Sequence, residues 1–203
     1  MYIAQTIVDF LLLMMTLCKR CFDIVVSSSA LLCLFWLLLA TALLVRFTSK
    51  GKVLHWSQRV GRDNHLFNMP KFRSMRIDTP VVATHLLSSP DAFLTPVGGF
   101  LRTTSLDELP QLWSIWVGDM SFVGPRPALF NQDDLIELRT REGVHALTPG
   151  LTGWAQVNGR DEIPIVDKVV LDKVYLQKQS MMFDLHILLL TFVKVARRDG
   201  VSH

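Results

Sequence analysis

Two adjacent carboxylates, Asp107 and Glu108, stand in the stretch Ser105-Leu106-Asp107-Glu108-Leu109-Pro110-Gln111, just ahead of an apolar pattern at helical spacing. Ser105 and Glu108 have the Ser-x-x-Glu spacing of a capping box. Pro110 has no N–H to donate and suits the first turn, which places the helix start nearer Asp107. The positive end of a helix favours ionised acids. An ionised carboxylate beside a divalent cation can attack phosphorus and become an aspartyl-phosphate. Acids in a first turn also serve simply as caps, and this stretch alone leaves both readings open.

Other groups suited to a phosphate-bearing substrate follow the same two-sided pattern. Arg126 stands between Pro125 and Pro127, so its backbone is restricted on both sides. A guanidinium held that way suits a phosphate clamp or a structural ion pair with Asp119. Lys71 and Arg73 lie in a strand-like run from Phe67 to Met75, either as solvated surface or facing a phosphate. The segment from Thr148 to Arg160, which contains Gln156 and Asn158, is punctuated by Gly150, Gly153 and Gly159. Glycines there let backbone approach a ligand closely, but no Gly-Lys-Ser/Thr follows, so this is not a P-loop. Asp172 and Tyr175 fall on a helix spanning Ile163 to Gln177.

These residues must be carried by elements that the pattern also suggests. Short strands are expected at Val53–Trp56 and over Phe67–Met75, with a basic turn between them and a loop-rich connection from 78 to 96. A helix from Asp107 through Leu109, Leu112, Trp113 and Trp116 ends before Gly118, and a polar helix spans Asn131–Arg141. On the last helix, from about Ser180 to Arg198, Asp184, Thr191, Lys194 and Arg198 share one arc. Phe183, Leu185, Leu188, Leu189, Phe192, Val195 and Ala196 lie opposite, which suits a membrane interface or a packed core.

The chain of 203 residues is half hydrophobic, with mean hydropathy +0.32, and has room for one domain and an appendage. Lys+Arg 21 against Asp+Glu 18 leaves a net charge of +3, suited to an anionic lipid surface or a phosphate substrate. No basic and aromatic run of the nucleic-acid-binding kind occurs, so no nucleic acid partner is expected. Cys18 and Cys21 have C-x-x-C spacing, but neither a second pair nor a nearby histidine completes a metal site. Reduced, buried thiols are expected there and at Cys33, in a reducing compartment.

Three parts are expected: an apolar leader over 1–18, a membrane-inserted helix over 19–46 and a catalytic domain over 47–203. From Cys21 to Val45 the only charge is Asp23, and basic residues flank both ends: Lys19 and Arg20 before, Arg46, Lys50 and Lys52 after. Such flanks suit a re-entrant segment with both ends facing the cytoplasm, and the charges alone leave a spanning helix equally open. Ser27, Ser28 and Ser29 offer back-bonds to carbonyls that would bend it.

The motifs, taken in order, resemble those of the bacterial sugar transferase family, and within it the small monotopic phosphoglycosyl transferases. The matching stretches are Lys19-Arg20 with Phe22-Asp23-Ile24, Arg59-Val60-Gly61, Lys71-Phe72-Arg73-Ser74-Met75, Ser105 to Gln111, Gly118 to Pro127, and Pro149 to Arg160. The resemblance implies a helix-rich α/β catalytic domain on a re-entrant membrane helix, with amphipathic interfacial helices, on the cytoplasmic side of the bacterial inner membrane. It implies transfer of a sugar-1-phosphate from a UDP-sugar to undecaprenyl phosphate, releasing UMP and opening a surface-polysaccharide or glycoprotein pathway. Asp107 matches the nucleophile, with Mg2+ nearby, and Glu108 its partner. Arg102 and Arg126 match positions that bind phosphate or substrate, Asp172 matches another substrate-side acid, and Lys71, Arg73, Gln156, Asn158 and Arg160 fall in matched stretches on the substrate side. Membrane lipid is an implied partner, and a homodimer is compatible with the resemblance. The family carries Ser-Pro at the bend of its membrane helix where this chain has Phe35-Trp36, and an arginine where this chain has Thr148. Two rivals are a non-catalytic membrane protein that binds nucleotide sugars and an aspartyl phosphatase. The second lacks its usual Asp-x-Asp-x-Thr arrangement.

Overall fold

A computed structural model describes residues 2–80, 90–159 and 163–197. The chain begins with two consecutive helices, α1 (Tyr2–Cys33) and α2 (Phe35–Thr48). The boundary expected at residue 18 is therefore not a structural break, because leader and membrane segment share one helix. Ser27 donates to the carbonyls of Asp23 and Ile24 at 2.6 and 3.2 Å, and Ser29 to that of Val25 at 2.8 Å. These back-bonds leave α1 continuous. The chain turns instead at Leu34, whose ψ of 6° interrupts helical geometry, and α1 and α2 meet at a bend of 63°. No single helix among the described residues is long and apolar enough to cross a membrane, but this bent pair together has the length and composition to do so.

Both limbs of the pair dock on the same body. Lys19 Nζ donates to Asp184 Oδ2 at 2.5 Å and to the Val123 carbonyl at 2.9 Å. The guanidinium of Arg20 donates to the carbonyls of Ile115 and Trp116, each at 2.6 Å. The basic flank thus acts as a docking latch, with Lys19 in a largely buried ion pair. Asp23, 3% exposed, accepts from the Phe122 amide at 3.1 Å. On the other limb, Val45 is buried with Phe72 and Leu101.

The rest of the chain is helix-rich α/β with two small sheets. Strands β1 (Leu54–Val60) and β2 (Leu66–Phe72) pair antiparallel, from Leu54 opposite Phe72 to Val60 opposite Leu66. β1 runs four residues past its expected end at Trp56, and its turn takes positive φ at Asp63 and Asn64, types that tolerate it. Helices α3 (Gly98–Thr103) and α4 (Gln111–Val117) follow, joined by a 3-10 turn over Leu106–Glu108. Of the loop expected over 78–96, residues 81–89 lie outside the described residues. Gly118, at φ 106°, closes α4, where the stop was expected. Next come β3 (Ser121–Val123), α5 (Asp133–Arg141), β4 (Gly150–Thr152), α6 (Trp154–Asn158), α7 (Ile165–Lys178) and α8 (Met181–Arg197). β3 and β4 pair in parallel; at three residues each they carry no alternation that a sequence pattern could reveal.

Helix α8 is apolar on both faces, since Ile187 is buried in the core with Phe183, Leu188 and Leu190 packed against it. Its polar residues Asp184 and Thr191 point inward, to Lys19 and Tyr175 and to Thr152 respectively. Met182, Leu185, Leu189, Phe192 and Val195 face out. Leu32, Trp36 and Phe47 on the bent pair are also exposed, by 79%, 74% and 83%, an apolar exterior suited to lipid rather than water. Cys18, Cys21 and Cys33, expected to be buried, are exposed on the same α1 helix.

Candidate active site

The acidic pair sits between α3 and α4, and its local structure differs from the capping expectation. Asp107 and Glu108 occupy the 3-10 turn, and α4 begins only at Gln111, behind Pro110. Ser105 has φ 55° and its side chain forms no cap bond. The capping box does not form because Glu108 has a tertiary partner: Lys71, on β2, donates to Glu108 Oε1 at 2.7 Å. Arg126 Nη2 lies 3.5 Å from the same oxygen. Burial draws the Glu108 pKa upward, but Lys71 and Arg126 outweigh it and hold this carboxyl well below the usual range.

Asp107 has the opposite environment. It is 7% exposed, and burial lifts its pKa from the ordinary 3.8 to about 6, with the Glu108 charge adding and Lys71 and Arg102 opposing. Helix-end stabilisation of its ionised form, expected from the sequence, is therefore overridden by desolvation. Two neighbouring carboxyls pushed apart in this way are the pattern of a functional pair: one permanently charged, one poised to change state near neutrality.

Arg126 is carried by a segment tied down at successive carbonyls. The Gly150 amide donates to the Pro125 carbonyl at 2.9 Å, Arg139 Nη1 to that of Arg126 at 2.8 Å, and Arg59 Nη1 to that of Pro127 at 3.2 Å. The Val60 amide donates to the Ala128 carbonyl at 2.9 Å. Gly124 and Gly150 lie so close that a Cβ on Gly150 would fall 2.1 Å from the Gly124 nitrogen, which accounts for a glycine there. Asp119 is the alternative partner that the sequence offers Arg126; among the described residues the acid that Arg126 is seen to meet is Glu108.

The expected site residues therefore divide. Lys71, Arg102, Asp107, Glu108 and Arg126 converge, with Arg102 close enough for its charge to act on Asp107. Arg73 does not join them; it donates to the Lys50 carbonyl at 3.0 Å, tying β2 to the end of the bent pair. Asp172, expected on the substrate side, is 1% exposed, and its Oδ2 accepts from Arg139 Nε and Nη2 at 3.0 and 2.7 Å. It reaches Arg126 through Arg139, whose Nη1 donates to the Arg126 carbonyl. Gln156 donates to the Leu151 carbonyl at 3.2 Å and Asn158 to the Trp154 carbonyl at 2.7 Å, both within their own segment. Arg160 lies outside the described residues. Sequence reading missed Arg139, which sits in a helix that looks solvent-facing; its only signal is a single basic residue on the apolar side of α5, among Leu135, Ile136 and Leu138.

Among the described residues, no group of three or more His, Cys, Asp or Glu side chains is placed to hold a metal ion. Mg2+ does not need one: it typically keeps several waters and takes one or two carboxylates plus substrate phosphates. With Glu108 engaged by Lys71 and Arg126, Asp107 is the carboxylate left to such an ion. The donor set fits Mg2+ shared with a diphosphate.

Comparison with known proteins places this geometry in context. The family model described as bacterial sugar transferase matches residues 14–198. The chain is 40% identical over 184 residues to an undecaprenyl-phosphate glucose phosphotransferase of Komagataeibacter xylinus, covering 85% of this chain and 35% of that protein. It is 40% identical over 188 residues to the UDP-glucose:undecaprenyl-phosphate glucose-1-phosphate transferase of Escherichia coli K12, covering 88% and 40%. It is 36% identical to the exopolysaccharide production protein ExoY of Rhizobium meliloti, covering 90% and 87%. The chain thus spans well under half the length of the first two relatives and most of the third.

Proposed function

The chain belongs to the bacterial sugar transferase family, and from that premise we propose that it transfers a sugar-1-phosphate from a UDP-sugar to undecaprenyl phosphate. The observation that carries this reading is the divergence of two adjacent carboxyls, Asp107 held near pKa 6 and Glu108 locked ionised by Lys71 and Arg126. A carboxylate that ionises only at the expense of burial is a better nucleophile than a solvated one.

In the first half-reaction an Asp107 carboxylate oxygen bonds to the β-phosphorus of the donor. The bond from that phosphorus to the bridging oxygen breaks, and UMP leaves with the electron pair. In the second, a phosphate oxygen of undecaprenyl phosphate attacks the same phosphorus and the acyl-phosphate bond breaks. Asp107 is restored, and the sugar remains on a lipid diphosphate. Arg126 and Lys71 keep Glu108 charged and offset the phosphate charges, and Arg102 stands on the Asp107 side. Mg2+, held by Asp107 and the diphosphate, would offset charge on the transferring phosphoryl group. Because both substrates are phosphate anions, one cationic site serves each in turn.

The same reading gives the bent pair its role. Lys19, Arg20 and Asp23 on one limb and Val45 on the other dock to one body, which supports both ends lying on a single face of the bilayer. The pair then dips into one leaflet of the bacterial inner membrane, and the acidic pair faces the cytoplasm at the height of the lipid phosphate. Release of UMP from a panel of UDP-sugars, beginning with UDP-glucose and UDP-galactose, tests the proposal in detergent or nanodiscs. Sustained release only with undecaprenyl phosphate is expected. Equal sustained release without it would make the protein a hydrolase, and none under either condition would remove the activity.

A further inference from the structure

Arg139 meets no group that the proposed reaction uses directly, yet it is 8% exposed and fully engaged. Two of its nitrogens donate to Asp172 on α7, and the third donates to the backbone carbonyl of Arg126. We propose that Arg139, oriented by Asp172, is a positioning residue that sets where the Arg126 guanidinium stands over Glu108. This rests on the transferase reading of the Asp107–Glu108 site.

The backbone chemistry of the segment makes such a tie consequential. Pro125 and Pro127 have no N–H, so carbonyls are the main handle by which the protein can hold this turn. Pro125 is held from β4 through the Gly150 amide, and Pro127 from β1 through Arg59. The carbonyl of Arg126 itself, between them, is held by Arg139. Packing around the turn is incomplete. A cavity of about 30 Å3, room for roughly one or two waters, lies against Pro125, Pro127, Ala128 and Arg139. Pro125 and Pro127 border that space, so the hydrogen bonds to the turn's carbonyls carry more of its placement. The planar fork of an arginine holds a carboxylate and a carbonyl in a fixed relative geometry, which the single rotatable nitrogen of a lysine does not. Asp172 thus acts on the site through two bonds and without touching substrate.

The test is a double-mutant cycle on the full-length protein in nanodiscs. Arg139→Met with Asp172→Leu removes both charges together, so neither is left buried and unpaired. The melting temperature should stay within a few degrees of wild type, while kcat/KM for the UDP-sugar falls about 10- to 100-fold, the scale of a small misplacement. The loss should fall in the same parameter, kcat or KM, in which Arg126→Ala loses, and in an Arg126→Ala background the pair should lower activity no further. Arg139→Lys, which keeps a cation beside Asp172 but loses the rigid three-nitrogen fork, should repeat the pattern and decides the matter if the charge-free pair does not fold. Full activity in the charge-free pair, or in Arg139→Lys when the pair does not fold, would overturn the proposal. So would an undiminished further loss in the Arg126→Ala background. A wild type that releases no UMP would instead sink the transferase reading, leaving the two failures distinct.

Discussion

Replacing the proposed nucleophile should make the protein more stable, and the size of the gain can be worked from its surroundings. Asp107 is 7% exposed, and its pKa stands at about 6 against an ordinary 3.8. The native state therefore holds a proton that the unfolded chain has released between about pH 4 and pH 6, so stability falls as pH rises through that window. At about 1.4 kcal/mol per pH unit, the ionised group costs about 3 kcal/mol once pH exceeds 6. Asp107→Asn removes that cost. The amide keeps the volume, and at pH 7.5 the variant should gain up to about 3 kcal/mol, or about 6–12 °C in melting temperature for a chain of this length. Near pH 4, where the native carboxyl is neutral, the two proteins should melt together. Differential scanning fluorimetry in detergent across pH 4–8 reads both limits. A variant less stable than wild type at pH 7.5, or a difference independent of pH, would refute the claim that burial strains this carboxylate. Turnover should be lost in the same variant.

Three further outcomes are expected. Lys71→Met removes a cation that lowers both carboxyl pKa values, so the acidic limb of the kcat/KM profile should move to higher pH; an unmoved or downward-shifted limb would contradict it. Lys19→Met leaves Asp184 buried without its cation, which should cost about 3–5 kcal/mol in thermal or denaturant unfolding; a loss below about 0.5 kcal/mol, the scale of an ordinary surface change, would return Lys19 to the role of a flanking charge. Leu189→Glu with Phe192→Glu places charge on the exposed apolar face of α8, where it should reduce flotation with liposomes and leave the melting temperature nearly unchanged. Unaltered flotation would show that this face does not meet lipid.

What could be read from the sequence was what is encoded locally. The α4 apolar positions, the Gly118 stop and the α5 and α7 helices follow from short-range periodicity and turn chemistry. The acidic pair and Arg126 stand in long motifs that the resemblance assigns to one substrate, but the contact between Arg126 and Glu108 is not among the pairings read from them. The failures share a cause: each involved a partner far along the chain. Glu108 leaves the capping box because Lys71 reaches it from β2. Lys19 looks like a topogenic flank until Asp184 arrives from α8. Asp172 looks like a substrate-side acid until Arg139, in an apparently solvated helix, occupies it. The bend falls at Leu34, where no proline or glycine marks it, and the serines expected to make it only back-bond within a continuous helix. Pairings of this kind are settled by tertiary packing, which no local pattern records.

Whether Asp107 carries the sugar phosphate decides the mechanism. Wild-type protein mixed with labelled UDP-sugar and no acceptor, quenched within seconds and digested for mass spectrometry, should yield a sugar-phosphate adduct on the peptide containing Asp107, with UMP released in at most equal amount. If turnover proceeds once undecaprenyl phosphate is added, yet donor alone leaves that peptide unmodified and releases no UMP, the covalent route is wrong and the acceptor attacks the donor directly.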